Sequence, residues 1–474
     1  MKHSVTLLLV GMGYIALTAW ASDFEFFWDT VQLGAKHGTW YYEQQFRYLL
    51  LPPEIDSGHP PVFGMYLAAC WLLFGKSLAV SHWAMLPFLL GLGWQTYRLV
   101  RFFLPDDWVA PVMLLLLIEP TLLAQCVLIS PDVVLMCFLV WSLNALLRRS
   151  DVTKSFVLIG LALISMRGMM CVLALYLVDV WYTTYHVGKR LTIRHTLQTM
   201  VAYLPSGILA SAFLAYHYAE TGWVGYHADS PWAPSFDKVD ARGLLRNIAV
   251  LGWRLLDFGK VAVFVVVGIA WLGWRRRANP IDDRLRTLLV LTGILVALLT
   301  PSLLVHAGLL GHRYLLPYTY MGLLSALYFV LHTYQRSWKR WLALGAILVA
   351  FVSGHRWVYP DKISQGWDAS LAHLPYYQLR DVVNEELAAM GIPRASVGSA
   401  FPLVAEQRYY DLSSSTDAYA RKDLYHQEYI LYSNIVNDFT DDEIDRLQDL
   451  WVVEQEWQQA GVKFVLYRRD AAEI

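Results

Sequence analysis

VTLLLVGMGYIALTAWA, residues 5–21, runs straight into SDFEFFWDT, residues 22–30. The first piece carries no charged side chain and approaches the ~20 apolar residues that cross a bilayer. The second places Asp23, Glu25 and Asp29 immediately beyond it. A carboxylate at a membrane boundary is costly to desolvate, so it lines a water-filled cavity or serves a function.

The rest of the chain keeps this character. It has 474 residues, of which 56% are hydrophobic and only 16% charged, against about 25% charged in soluble domains, so it reads as a membrane protein. A net charge of −1 and dispersed basic residues lack the basic stripe of a nucleic-acid binder. Cys70, Cys126, Cys137 and Cys171 all lie in apolar runs without metal-ligand spacing and read as small buried hydrophobes. Lys2, the apolar run and Ala19-Trp20-Ala21 resemble a cleavable signal peptide, but the run is long for a signal core. It is expected to be retained as a span.

Apolar stretches of membrane length begin near Val5, Ala79, Trp108, Pro131, Phe156, Gly168, Thr199, Phe258, Leu285, Tyr314 and Trp341, which predicts about eleven spans. Arg98/Arg101, Arg148/Arg149/Lys154, Lys189/Arg190/Arg194, Arg275–Arg277 with Arg284/Arg286, and Arg336/Lys339/Arg340 fall in every second connection. Cytoplasmic loops are enriched in Lys and Arg, so the N-terminus is expected inside and the C-terminus outside. Residues 21–78, 219–257 and the tail are then the external segments. HPPVFGMYLAACWLLFG, residues 59–75, is too short to span comfortably and predicts a helix at or dipping into the interface.

From residue 357 the composition turns polar, dividing the chain into a membrane domain, 1–356, and an external domain, 357–474. YYQLRDVVNEELAAMG predicts a helix stopped by glycine, and ASVGSAF, EYILYSNI and KFVLYRR predict strands. FTDDEIDRLQDLWVVEQEWQQAG predicts one further helix, opened by a capping box of Thr440 and Glu443. The expected fold is therefore a mainly α polytopic membrane domain followed by a small α/β domain.

Asp132, in LISPDVVL, joins the early acids on the outer side. Alone it reads equally well as an acid at a helix N-terminus after proline. Arg167, in ISMRGMM, and His312-Arg313 break the inside bias of the basic residues. Guanidinium groups suit phosphate oxygens, although anchoring to lipid headgroups is the plainer alternative. Acids for proton abstraction beside arginines for a phosphate fit group transfer from a lipid-linked phosphate. His59 is a candidate pocket residue, though a histidine in a turn before Pro-Pro is more often structural. His37 and His82 are no more distinctive. The sequence has no Gly-rich phosphate loop, His/Cys metal set or nucleophile elbow.

In the order and spacing of these elements the chain resembles the GT-C integral-membrane glycosyltransferases. The nearest branch holds the protein O-mannosyltransferases and the bacterial lipid A aminoarabinose transferase. Asp23 matches the acid after the first span and Trp40 the family's Gly-x-Trp. GHPPVFGMYLAACWLLFG matches the Pro-containing jaw segment, ISPDVVL the later Pro-Asp, Arg167 a basic residue in the following hairpin, and RYLLP, residues 313–317, the basic-Tyr-x-x-Pro element. The likeness covers roughly residues 1–355. Phe24 stands where the family's second acid usually is, with Glu25 displaced by one.

The resemblance implies transfer of a sugar from a polyprenyl-phosphate donor to a protein, glycolipid or polysaccharide acceptor outside a bacterial cytoplasmic membrane, with inversion. It implies Asp23 as general base, assisted by Asp132, with Arg167 and Arg313 on the donor phosphate. Glu25, Asp29, His59 and Tyr314 are further candidates for substrate contact. No cofactor is required, and a divalent cation is compatible with Asp23 close to Glu25. A transporter or flippase for the same lipid is the rival expectation.

Overall fold

The computed structural model describes residues 2–228, 230, 232–276, 280–436 and 438–470. Arg277 of the basic cluster lies outside the described residues. The chain opens with α1 (Lys2–Ala21), a strap to residue 30, a π-helical turn (Val31–Lys36) and α2 (His37–Gln44). Next come α3 (Val62–Phe74), α4 (Leu78–Phe103), α5 (Asp106–Leu117), α6 (Pro120–Val127), α7 (Pro131–Leu147), α8 (Asp151–Ile164) and α9 (Met166–His186). The bundle continues through α10 (Ile193–Met200), α11 (Leu204–Thr221), α12 (Ala241–Leu256), α13 (Val261–Arg275), α14 (Asp283–Val305), α15 (Leu316–Thr333) and α16 (Ser337–Gly354). Leucine-rich faces join these helices in one apolar core. α4 packs on α1 and α7, α7 on α8, and α14 on α9 and α15.

Five helical segments are long and apolar enough to cross a membrane alone: Ser4–Ala21, Met166–His186, Ile193–Thr221, Asp283–Val305 and His312–Thr333. The bent pairs α5/α6 (66°) and α12/α13 (84°) raise the number to seven if each pair is one span. The chain is thus a multi-pass membrane protein with fewer self-sufficient spans than the eleven expected. The difference lies in short and polar helices. α7 has 17 residues and α8 has 14, so α8 is about 21 Å long against a ~30 Å hydrocarbon core. α4 has the length but carries His82, Gln95, Arg98 and Arg101, and α16 opens with Lys339 and Arg340. α3, the expected interfacial helix, has 13 residues and is too short to cross.

After α16 the chain forms α17 (Pro375–Ala389), β1 (Val397–Ser399), β2 (Ala420–Arg421), β3 (Tyr429–Ser433), α18 (Asp441–Leu450), β4 (Trp451–Gln459) and β5 (Val462–Arg469). The sheet order is β2-β1-β3-β5-β4, parallel around β1 and antiparallel at β3-β5-β4. The Thr440–Glu443 capping box forms. The helix it opens stops at Leu450, however, and WVVEQEWQQ, expected to continue it, is the edge strand β4. Trp451, Val452 and Val453 favour a strand, and Ala460 and Gly461, both at positive φ, supply the tight turn into β5.

α17 covers one face of the sheet, and Phe27 and Leu128 from the bundle are buried in the same cluster. The bend between α12 and α13 is locked against the end of α16. Gly259 has φ +81°, and a Cβ there would run into the Ala350 carbonyl, while one on Gly354 would run into the Phe258 carbonyl. Gly259→Ala is expected to destabilise the chain by about 2 kcal/mol or more, read as a lowered thermal unfolding midpoint in detergent. Gly273→Ala, which meets nothing within 4 Å, should leave the midpoint within a degree or two.

Candidate functional site

The starts of α7, α9 and α15 converge beneath the C-terminal domain, each positioned by a local device. Ser130 caps α7, its Oγ accepting from Asp132 N at 3.1 Å, and presents Asp132 in the first turn. Ser165 caps α9, its Oγ accepting from Gly168 N at 3.1 Å, and presents Arg167. A 3₁₀ turn over His312–Leu315 presents Arg313 and Tyr314.

Arg313 is the centre. Its Nη1 donates to Asp132 Oδ2 at 3.1 Å, its Nε faces Asp368 Oδ2 at 3.0 Å, and its Nη2 pairs with Asp29 and donates to Tyr314 OH at 2.8 Å. Arg167 Nη2 meets the other oxygen of Asp132 at 2.7 Å, and its Nη1 donates to the Arg313 carbonyl at 3.0 Å. Both guanidiniums lie over the Tyr314 ring, 4.7 and 4.6 Å from its centre. Three carboxylates thus surround two guanidiniums, leaving one surplus negative charge. Asp29 is the most accessible of the acids, with 23% of its side chain exposed against 3% for Asp132 and 10% for Asp368.

Asp368 was not among the residues expected from the sequence. It sits in a short turn, Trp367–Ala369, between α16 and α17. Trp367 Nε1 donates to the Asn434 carbonyl, and Gln125 Nε2 donates to the Asp368 carbonyl, both at 2.8 Å. Burial holds its carboxyl above the usual range, opposed by Arg313. The only signal in the sequence was an acid after Gly-Trp in a polar segment.

Two side networks fix the surroundings. His312 Nε2 donates to Asp257 Oδ2 at 2.8 Å, Arg254 lies 3.6 Å from that oxygen, and Tyr359 OH donates to the other. This anchors the turn that carries Arg313. On the other side Asp56 pairs with His217 Nε2 at 2.9 Å and holds the segment bearing His59. Burial, with the Arg167 charge nearby, lowers His59 to about 4, so it is neutral at neutral pH. Its Nδ1 is shielded and has no partner among the described residues.

Asp29, Asp132, Arg167, Arg313 and Tyr314 are therefore brought together, with His59 beside them. Asp23 and Glu25 are not part of this group. Asp23 is exposed and lies in the electrostatic range of His82 rather than of Arg313. Glu25 pairs with Arg380 of α17. Among the described residues no group of three His, Cys, Asp or Glu side chains is arranged to hold a metal ion. Trp40, matched to the Gly-x-Trp element, packs on Tyr48 at 6.3 Å.

No family model matches this chain, and no curated protein or solved structure is significantly similar to it.

The Glu25–Arg380 pair ties the strap to the C-terminal domain, reinforced by Phe26 N donating to the Tyr410 carbonyl at 3.0 Å and by Phe27 stacking on His373 at 4.7 Å. Burial pushes Glu25 above the usual carboxylate range despite the opposing Arg380 charge. Its ionised form is therefore disfavoured in the fold, and stability falls as pH rises from the unfolded pKa, about 4.3, through the folded one. Arg380→Met removes the opposing charge and raises the folded pKa further. It is expected to cost about 3–5 kcal/mol at pH 8 and clearly less at pH 5, read from thermal unfolding midpoints at the two pH values.

Proposed function

We propose that this protein is a membrane glycosyltransferase of GT-C type. It would move a sugar from a polyprenyl-phosphate donor to a hydroxyl acceptor at the face of the bacterial cytoplasmic membrane that carries the outer domain. That face is the periplasmic or extracellular one, with the N-terminus cytoplasmic. The observation that carries the reading is the convergence of Arg167 and Arg313 with Asp29 and Asp132 at helix ends on one boundary of an apolar bundle. This is the pairing that displacement at a phosphorylated sugar needs.

The leaving group is a phosphate ester, which needs charge stabilisation rather than an acid. Arg313 and Arg167 supply it in a site of low dielectric, where oriented charge is most effective. The acceptor hydroxyl is a poor nucleophile at neutral pH and needs a base within hydrogen-bond reach. Asp29 takes this role in place of Asp23, because it is the most accessible acid beside the arginines. When the donor phosphate occupies Arg313, Asp29 loses its guanidinium partner and is free to accept a proton. The acceptor oxygen then bonds to the anomeric carbon, the carbon–phosphate oxygen bond breaks with its electron pair going to the phosphate, and the acceptor proton goes to Asp29. Attack opposite the leaving group inverts the anomeric centre.

Asp29→Asn is expected to lower turnover by about 10²–10⁴ without weakening donor binding, while Asp23→Asn stays within about tenfold of wild type. Lipid mass spectrometry of native membranes checks both, since a polyprenyl-phosphate sugar should accumulate with the first variant and not with the second. No accumulation in Asp29→Asn, with the protein folded and present, would sink the transferase reading. Asp368 competes with phosphate for the same guanidinium, so Asp368→Asn should tighten donor binding by about tenfold, on the scale of one charge-assisted hydrogen bond. If Asp368 only held Arg313 in place, the same change would weaken binding.

A further inference from the structure

At the opposite end of the bundle a cavity of about 450 Å³ lies between the α4/α5 connection, the start of α14, the end of α15 and the first turn of α16. The chain fixes its remoteness from the first site. α5 and α6 lead away from it to Asp132, α15 joins His332 here to Arg313 there, and α16 leads from Arg340 to the outer domain. The 18 residues of α15 separate the two by about 27 Å.

We infer that this cavity binds the phosphate headgroup of an anionic glycerophospholipid between Arg284 and Arg340. Each guanidinium is held in place by a backbone carbonyl. Arg284 Nη1 donates to Phe103 O at 2.9 Å and Arg340 Nε to Tyr334 O at 2.5 Å. Among the described residues neither forms an ion pair. The acids in the wall are engaged elsewhere: Asp282 accepts from Leu285 N at 2.8 Å and Tyr328 OH at 2.6 Å and lies 3.7 Å from His332, while Asp283 pairs with Arg286 at 3.1 Å.

The remaining wall suits a lipid. Phe103, Leu104 and Leu331 are buried beneath the cavity. Arg340 lies over the Trp108 ring at 5.5 Å, and Trp108 packs on Trp341 at 5.1 Å. Trp338 and Trp341 are more than half exposed, which is the placement of indoles at a membrane–water boundary. Arginines held between helix ends at such a boundary take anionic headgroups, and their N–H groups that have no partner among the described residues give a phosphate charge-assisted hydrogen bonds.

The test is native mass spectrometry of the full chain in detergent, titrated with phosphatidylglycerol, phosphatidylcholine or inorganic phosphate. The wild type should bind one phosphatidylglycerol at least about tenfold tighter than phosphatidylcholine. Arg284→Ala/Arg340→Ala should lose this preference and Arg284→Lys/Arg340→Lys should keep part of it. Arg336→Ala, on the exposed surface nearby, should bind like wild type. Equal binding of the two lipids, an unchanged preference in the double alanine variant, or an equal loss in Arg336→Ala would overturn the inference. Displacement of the lipid by millimolar inorganic phosphate would make the cavity a site for free phosphate and overturn it as well. If the double alanine variant fails to fold, Arg340→Gln decides by the same comparison.

Discussion

Arg313 is buried, and three carboxylates from distant parts of the chain meet on its guanidinium: Asp29 from the strap, Asp132 from α7 and Asp368 from the turn before α17. Desolvating so many charges costs several kcal/mol per ion, and mutual attraction offsets this only where the geometry is good and the remaining lone pairs are bonded. The cluster is therefore a weak source of stability. Its effect is one of registry: only when strap, bundle and C-terminal domain are all in place is each buried charge opposed. An error in any of the three leaves a buried guanidinium or carboxylate uncompensated.

The same constraint makes the C-terminal domain part of the charged cluster. Glu25 and Arg380 form a second charged tie across the same seam, and Phe27 from the strap and Leu128 from the bundle complete the C-terminal domain's apolar cluster. With its boundary read only from composition, this domain looks like an appendage after residue 356. It supplies Asp368, and through α17 it fixes the strap that ends in Asp29.

Much of this was legible in the sequence because it depends on local rules. The mainly helical membrane body follows from runs of apolar residues, the capped helix at Thr440 from one tetrapeptide, and the convergence of Asp132, Arg167 and Arg313 from charges that break the apolar pattern at helix starts. What was not legible depends on contacts between distant segments. That Asp29 rather than Asp23 reaches Arg313 is set by the strap's docking on Arg380 and Tyr410, over 340 residues away, which no local pattern records. WVVEQEWQQ reads as helix by its charges and becomes a strand because β5 offers it an edge. The span count was too high because hydropathy does not register that α5 and α6 are broken and α8 is short.

The distribution of buried polarity also bears on what the bundle can do. A carrier for a charged lipid headgroup needs ionisable groups near mid-depth on several helices. Here the Arg313 cluster lies at one end, and the buried Lys154–Asp179 pair, 2.5 Å apart, lies towards the other. Apart from Lys260, which pairs with the buried Glu119 at 3.4 Å beside the α5/α6 break, the buried contacts between them among the described residues are neutral, such as Asn144 Nδ2 donating to Gln95 Oε1 at 3.0 Å and Thr96 bonded to Tyr320 at 2.6 Å. They sit in a core of leucine, valine and aromatic side chains, where a phosphate would lose its hydration with nothing to replace it. The densest buried charge among the described residues therefore lies where the C-terminal domain closes over the helix ends.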